Sequence, residues 1–253
     1  MYVPLDALLN EPAKLWEIKD ALEVELFVAL PDMLREKDRD LFLQDMERIL
    51  EAHHQGLISG VLMRCMEEYA LCRIADGLKR MADGSLYQIN AGAYEFFGSE
   101  EEGITLSPEC TWFESKEFLD ALEAKGTVPS MVELPVYGNS VLMVTANCIR
   151  NTTFKCDHVA GIRDPLIDRK GQKILYLTNC RYCQNVLFNS RPLSLHKKWD
   201  RVEKLPDYVT GRLTFTHEYD GMIADRLTLF LSGTEKGIEP VSYTTGHFIK
   251  GVL

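Results

Sequence analysis

The sequence predicts an α/β protein in which a partial (β/α) barrel is followed by a small, mostly β C-terminal domain. Short apolar, β-prone runs alternate with helical patterns over the first part of the chain. Further along, the runs become shorter and are broken by turns. A stretch rich in cysteine, from Cys148 to Cys183, joins the two patterns. We therefore place the domains at residues 1–147 and 148–253.

The first part contains six β-prone runs that alternate with helical patterns, and a seventh run follows. The predicted strands are residues 2–9, 24–31, 60–64, 85–90, 103–109, 130–138 and 141–148. Apolar residues at helical spacing predict helices over residues 12–22, 33–54, 66–78, 91–98 and 115–126. Ser115 is expected to cap the last helix and Gly126 to end it.

Apolar strands separated by helices indicate a parallel sheet that is covered on both faces. A (β/α) barrel and an open doubly wound sheet both have this pattern. No Gly-rich phosphate fingerprint follows any predicted strand, which favours the barrel over the nucleotide-binding form. A complete barrel has eight strands and typically about 250 residues. We therefore expect an incomplete barrel or a piece of a longer protein.

The second part predicts short strands and turns. Residues 185–195 form β-like runs that Pro192 interrupts. Residues 211–219 alternate between apolar and polar side chains, which predicts a half-buried strand. Residues 225–233 fit a short helix or another strand, and both interpretations stay open.

Charge is distributed unevenly along the chain, whose net charge is −10. Residues 1–130 carry 12 Lys and Arg against 26 Asp and Glu, whereas residues 131–253 carry 16 against 12. Residues 148–204, called the basic segment below, carry 12 against 5. A basic block of this kind fits a phosphate backbone such as RNA, or another anion. It fits equally well a solvated surface that offsets thiolate charge.

The chain shows no membrane or export signal. No apolar run approaches the roughly 20 residues of a membrane helix, and residues 1–12 lack the basic and apolar regions of a signal peptide. We therefore expect a cytoplasmic protein without a membrane partner. In that compartment the seven cysteines are better explained as thiols or metal ligands than as disulfides.

Four cysteines, Cys148, Cys156, Cys180 and Cys183, form the main candidate site and are called the quartet below. They are separated by seven, twenty-three and two residues. A Cys-x2-Cys turn places two sulfurs on one tight loop, and four sulfur ligands suit zinc or an iron–sulfur cluster. The spacing leaves the metal open. Four ordinary thiols are the less favoured alternative, because free cysteines rarely gather in a polar, basic stretch.

The other cysteines have a different setting. Cys65 follows a predicted strand and Cys72 lies on a predicted helix. We expect these two and Cys110 to pack as core residues.

Barrel enzymes carry their catalytic residues at the carboxyl ends of strands. The polar residues predicted there are Arg64, Asn90, Glu109, Glu133 and Asn147. Arg64 is a candidate for binding an anionic substrate. Glu109 and Glu133 are candidate acid–base groups if burial raises their pKa. The alternative is that all five are caps or loop residues, with Glu133 inside its strand.

Common catalytic motifs are absent from the sequence. His53 and His54 lack the spacing of a HExxH metalloprotease motif, and there is no G-x-S-x-G and no P-loop. His217 and His247 are expected to be packed or solvated residues of the C-terminal domain.

The region around the quartet resembles a known family. VELPVYGNSVLMVTANC, the KCD that follows, and LIDRKGQKILYLTNCRYCQNVLFNSRPLSL resemble peptidase family U-32, the collagenase-like protease family. The C-terminal TTGHFIKGV is similar to the ending of its long members. The resemblance implies a TIM-type barrel and assigns the quartet to the four family cysteines. Long members carry an extra domain inside the chain, and this sequence resembles their C-terminal portion, so the partner would include the rest of a longer chain.

The family implies more than one function. Its name comes from collagenase-type proteolysis, but other members bind a [4Fe–4S] cluster on four cysteines and take part in hydroxylation of RNA bases or of a quinone precursor. We hypothesise an iron–sulfur-dependent enzyme that assists hydroxylation of an RNA base or a similar substrate, with RNA contacting the basic segment. The alternatives are a collagenase-like peptide hydrolase and a non-catalytic, zinc-stabilised binding module.

Overall fold

The chain is a mixed α/β protein with a parallel sheet and a separate antiparallel sheet. A computed structural model describes residues 1–73, 77–97, 101–233 and 242–251. The chain divides into two compact units. The first unit comprises Met1–Ser107 and Leu122–Val132, and the second comprises Pro108–Ala121 and Glu133–Leu253. The predicted domain boundary after residue 147 stays a prediction.

The first unit is built on parallel strands that pair in chain order. They are β1 (Tyr2–Pro4), β2 (Phe27–Ala29), β3 (Gly60–Met63), β4 (Lys79–Ala82) and β5 (Gly103–Thr105). Every residue of β2, β3 and β5 is buried, as expected for a sheet that is covered on both faces. The parallel sheet predicted from the alternating pattern is therefore confirmed.

Helices connect these strands. They are α1 (Leu5–Asn10), α2 (Pro12–Leu22), α3 (Arg39–His54), α4 (Met66–Cys72) and α5 (Ala91–Phe96), with single 3₁₀ turns at Glu36–Asp38 and Gly84–Leu86. Helix α2 begins with Pro12, whose fixed φ and missing N–H suit a first helical position. Helix α3 buries Phe42, Met46 and Ile49, which recur at helical spacing on one side.

Gly60 lets two neighbouring strands approach closely. A Cβ atom added there would collide with the carbonyl oxygen of Lys79 and with the ring of Phe27. Phe27 packs with Leu62 and Met81 in the core cluster of this sheet. The spacing of β2, β3 and β4 therefore depends on the absence of a side chain at residue 60.

The predicted strand over residues 85–90 is wrong. The fourth strand is β4, and the chain after it forms the turn Gly84–Leu86 and a left-handed Tyr87 with φ of 53°. Burial explains the difference, because Met81 and Ala82 are buried in β4 whereas Tyr87 and Ile89 are exposed. The predicted helix over 66–78 ends at Cys72, and its residues 74–76 lie outside the described ranges.

Helix α6 (Trp112–Lys125) begins earlier than predicted. Ser115 lies inside the helix, so the predicted cap is wrong. Thr111 and Glu114 instead cap each other: the Thr111 N–H donates to Glu114 Oε2 (2.8 Å), and the Glu114 N–H donates to Thr111 Oγ1 (3.1 Å). Gly126, with φ of 67°, follows the last helical residue as predicted.

The second unit contains the remaining elements, except that the first two residues of strand β6 belong to the first unit. The strands are β6 (Met131–Gly138), β7 (Val141–Thr145), β8 (Gly161–Ile167), β9 (Lys173–Asn179), β10 (Gln184–Phe188), β11 (Leu193–Ser194) and β12 (Val209–Leu213). The helices are α7 (Ile149–Thr153), α8 (Trp199–Val202) and α9 (Asp220–Ser232), with a 3₁₀ turn at His196–Lys198. Strand β6 pairs with β11 and β12, and the antiparallel sheet has the order β7-β10-β9-β8.

Several details of this unit differ from the sequence prediction. Strand β7 joins an antiparallel sheet rather than the parallel series, and β8 and β9 were not predicted. Residues 225–233, for which a helix and a strand were both predicted, fall almost entirely in helix α9. Residues 214–219 are not a strand, because the Glu218 carboxylate accepts hydrogen bonds from the N–H groups of Thr216 (2.7 Å) and His217 (3.0 Å) and turns the chain. Among the described residues, no helix is long and apolar enough to cross a membrane.

Candidate metal centre

The quartet lies at one end of the antiparallel sheet. Cys148 follows the last residues of β7, Cys156 precedes β8, and Cys180 and Cys183 belong to the turn between β9 and β10. The register places these strand ends side by side: the end of β7 pairs with the start of β10, and the start of β8 pairs with the end of β9. Antiparallel pairing thus collects four cysteines that are far apart in sequence.

The β9–β10 turn has a defined backbone. The N–H of Tyr182 donates to Asn179 Oδ1 (3.1 Å), and Tyr182 is only 1% exposed. Cys183 adopts a left-handed conformation with φ of 46°, and its Sγ–H donates to the Cys180 carbonyl (3.7 Å). The two sulfurs of this turn therefore lie on the same short loop, as the Cys-x2-Cys spacing predicts.

Cys148 is fixed by the start of helix α7, for which it is the N-terminal capping residue. Thr152 Oγ1 donates to the Cys148 carbonyl (3.0 Å) and to Asn147 Oδ1 (3.1 Å). The Asn147 carbonyl accepts a hydrogen bond from Asn185 Nδ2 (3.3 Å), which ties the segment to β10. Asn147 is thus a structural residue of this turn.

The four thiols interact electrostatically. Partial burial raises the pKa of the Cys180 thiol, the neighbouring Cys156 raises it further, Arg163 opposes the shift, and Cys148 and Cys183 add to it. Negative charge on the other three sulfurs is therefore felt at Cys180, and a cation near Cys180 would favour its thiolate.

Arginine side chains flank the thiols. Asp157 joins Arg163 (2.9 Å) and Arg150 (3.3 Å). The hydrogen bond from Arg163 lowers the pKa of Asp157 to about 2, with a further contribution from the Val159 N–H. The guanidinium of Arg150 also lies 4.9 Å from the ring of Phe154. This end of the sheet therefore carries the four thiols and two arginines that pair with one aspartate.

The donor set suits a metal, but the distances are not those of a bonded site. Within the described ranges, no three His, Cys, Asp or Glu side chains are close enough together to hold a metal ion. Cys183 is exposed and the other three thiols are half-buried. Four thiols with soft sulfur donors match zinc or an iron–sulfur cluster in chemistry.

Arg64 lies at the carboxyl edge of the parallel sheet, directly after β3. Its Nη1 is 3.0 Å from Asp32 Oδ2, and its Nε is 3.9 Å from Asp83 Oδ2. Asp32 and Asp83 follow β2 and β4, the two strands beside β3. Carboxylates already surround the guanidinium, which differs from the free anion-binding group expected from sequence. The two aspartates were missed, although each lies within three residues of a strand end.

Glu68 is a buried carboxyl beside Arg64. Its Oε2 accepts hydrogen bonds from the N–H groups of Arg64 (2.6 Å) and Cys65 (3.3 Å). Burial raises the pKa of Glu68 well above its usual value. Burial, with Glu68 nearby, also raises the pKa of Cys65 and of Cys72 to about 12. Cys72 has no exposed surface, which confirms its predicted place in the core, whereas Cys65 and Cys110 are half-buried.

The remaining candidates have separate settings. Glu133 lies inside β6, is 9% exposed and has Arg212 Nη1 at 3.5 Å, so its interpretation as a strand residue is confirmed. Glu109 is exposed in the turn before α6. Asn90 caps helix α5, where its Oδ1 accepts a hydrogen bond from the Ala93 N–H (2.9 Å). Arg64 belongs to the first unit, whereas both glutamates belong to the second.

Comparison of the chain with protein-family models, with curated proteins and with solved structures finds no match. The resemblance to the collagenase-like family therefore depends on the sequence motifs around the quartet.

Proposed function

We propose that this chain is an iron–sulfur protein of the U-32 type, in which Cys148, Cys156, Cys180 and Cys183 hold a [4Fe–4S] cluster. The observation that carries the proposal is the position of all four thiols at one end of the antiparallel sheet, where three of them affect the pKa of the fourth. Four thiolates are the usual ligands of such a cluster, which supplies electron transfer when bound.

The proposed activity is assistance in hydroxylating an RNA base or a similar anionic substrate. The quartet lies within the basic segment, and Asp157, the residue after Cys156, pairs with both Arg150 and Arg163. Arginines so placed are suited to phosphate oxygens and would bring a nucleic acid strand near the cluster. A cytoplasmic location is part of the proposal, because reducing conditions keep these thiols available.

The first unit would contribute a TIM-type barrel portion to this enzyme. Parallel strands in chain order, with Asp32, Arg64 and Asp83 at their carboxyl edge, are what such a barrel portion would present. In this arrangement Arg64, Glu109 and Glu133 remain candidate catalytic residues, and the ion pairs of Arg64 would position it.

Anaerobic purification followed by iron, sulfide and zinc analysis tests the proposal. We expect about four iron and four sulfide per chain and a brown protein. A colourless protein with one zinc per chain would rule out the cluster and support the zinc-stabilised module instead. The Cys-x2-Cys turn with its left-handed Cys183 favours zinc as the second candidate.

Activity assays separate the remaining alternatives. Purified holoprotein is incubated with RNA and a source of electrons and oxygen, and in parallel with gelatin. Hydroxylated nucleosides detected by mass spectrometry would support the proposed activity. Gelatin cleavage that persists in Cys148→Ser would support a peptide hydrolase that does not use the quartet.

A further inference from the structure

A cavity of about 390 Å³ lies in the second unit, away from the quartet. Its wall includes Asn139 before β7, Gln172 between β8 and β9, and Arg191 after β10. These positions belong to the opposite end of the antiparallel sheet from the cysteines. Strand β9 has seven residues between the two ends, and at about 3.3 Å per residue it separates them by roughly 20 Å. The cavity is therefore distinct from the candidate metal centre.

One wall of the cavity is a fixed pair of side chains. Tyr137 O–H donates to Glu218 Oε1 (3.0 Å), and Glu218 Oε2 accepts the N–H groups of Thr216 (2.7 Å) and His217 (3.0 Å). Burial, with the adjacent Glu218, raises the pKa of Tyr137, so the phenol stays protonated. Both carboxylate oxygens are thus engaged by donors of the protein, which makes this carboxylate a poor site for a cationic ligand.

Asn139 forms another part of the cavity wall. Asn139 is 6% exposed, and its Nδ2 donates to the Asn189 carbonyl (2.8 Å). Its Oδ1 has no hydrogen-bond partner in the described part of the chain. This oxygen has almost no accessible surface, so a ligand in the cavity does not reach it, and Asn139 instead holds the wall through its bond to Asn189.

An exposed guanidinium and an exposed imidazole are available at the cavity. Arg191 and His217 line the same cavity. Among the described residues, no carboxylate forms an ion pair with the Arg191 guanidinium, and its backbone N–H contacts only Asn189 Oδ1 (3.4 Å). The His217 ring likewise has no bonded partner in the described ranges. A guanidinium fork is suited to the oxygens of a carboxylate or phosphate, and an imidazole can add a further hydrogen bond to them.

We propose that this cavity binds a small organic oxyanion, whose carboxylate or phosphate would lie against Arg191 and His217. The volume is at the lower end of the range for small-molecule sites, which suits a compact metabolite. The site is independent of the metal centre and would serve a second substrate or an effector.

Isothermal titration calorimetry on the full chain tests this site with L-malate and glycerol 3-phosphate, which each carry an oxyanion and a hydroxyl. Binding of malate alone identifies a carboxylate ligand, and binding of glycerol 3-phosphate alone identifies a phosphate ester.

Variants at exposed positions complete the test. Arg191→Gln is expected to weaken binding by at least about tenfold, and His217→Gln by about threefold. Arg169→Gln makes the same change of charge at an exposed residue outside the cavity wall and should bind like wild type. The proposal is overturned if neither ligand binds at millimolar concentration, or if Arg191→Gln binds as well as the Arg169→Gln control.

Discussion

The two groups of cysteines in this chain differ in how deeply they are buried and in which charges lie near them. Cys65 and Cys72 lie beside the buried carboxyl of Glu68, and burial raises the pKa of both thiols to about 12. Partial burial raises the pKa of Cys180 as well, but Arg163 opposes this shift. Ligand thiols must lose a proton, and burial hinders this more at Cys65 and Cys72 than at Cys180. The number of cysteines alone would not separate these two groups.

The largest expected effect is loss of metal on replacing one member of the quartet. Cys180→Ser should lower bound metal to below about a tenth of the wild-type content, because a fourth soft ligand is removed from a site whose affinity depends on all four. Cys110→Ser, at a half-buried thiol outside the quartet, is the matched control. Metal analysis of both variants makes the comparison. Equal loss in the two proteins would show that the quartet is not the ligand set.

The second effect concerns stability of the metal-free protein. Cys72→Ser places a hydroxyl in a site with no exposed surface, which should cost about 1–3 kcal/mol in the free energy of unfolding. Cys183→Ser changes an exposed residue, so the free energy should stay within about 0.5 kcal/mol of wild type. Urea titration after metal removal measures both. A larger loss in Cys183→Ser would contradict the assignment of the two environments.

A third prediction uses the pH dependence of stability to test whether the buried carboxyl of Glu68 stays protonated. Glu68 is protonated in both states below its unfolded pKa of about 4.5, so it has no effect on stability there. As pH rises, the unfolded chain loses this proton while the folded chain keeps it, and wild-type stability falls until the raised folded pKa is passed. Glu68→Gln removes this loss. Its advantage over wild type should grow above pH 4.5 by about 1.4 kcal/mol for each unit of pKa elevation.

Urea unfolding at pH values from 4 to 8 provides the measurement, with Glu67→Gln as the control at the adjacent exposed carboxyl. The control should differ from wild type by a constant small amount. A difference for Glu68→Gln that does not change with pH would mean that burial leaves this carboxyl ionised.

The smallest expected effect is the fall in metal affinity when the positive charge beside the quartet is removed. Arg163→Gln removes a cation that favours the Cys180 thiolate, and metal affinity should fall by about two- to fivefold because the pair is accessible to solvent. The loss should shrink as salt is added. Competition with a chelator at two salt concentrations tests this, with Arg169→Gln as the charge-matched comparison. Identical affinities for the two variants would show that the positive charge of Arg163 does not contribute to metal binding.

Local signals in the sequence predicted local structure well. Pro12 and the apolar spacing after it gave the bounds of α2, Gly126 marked the end of α6, and the spacing of Cys180 and Cys183 indicated a tight turn. Each of these features depends on residues close together in the chain. The parallel sheet was also predicted, because alternation of strands and helices is visible without knowing which strands pair.

Features that depend on distant residues were harder to predict. Strand β4 carries two charged residues beside Met81 and Ala82, so only its burial identifies it. The pairs of Arg64 with Asp32 and Asp83 require the strand order. The cavity likewise needs the register of the antiparallel sheet, which brings together side chains from several loops. The pairing of strands that are distant in the chain cannot be predicted from any short stretch of sequence.

The collision expected for any side chain at Gly60 has a consequence for how this sequence can vary. A library of all substitutions at residue 60 should return glycine alone under selection for folded protein, since even alanine would push against the Lys79 carbonyl. Gly56, whose missing Cβ would meet no atom within 4 Å, adopts a positive φ of 78° and should still accept asparagine. Two glycines four residues apart would thus show different tolerance, one limited by space and the other by backbone conformation.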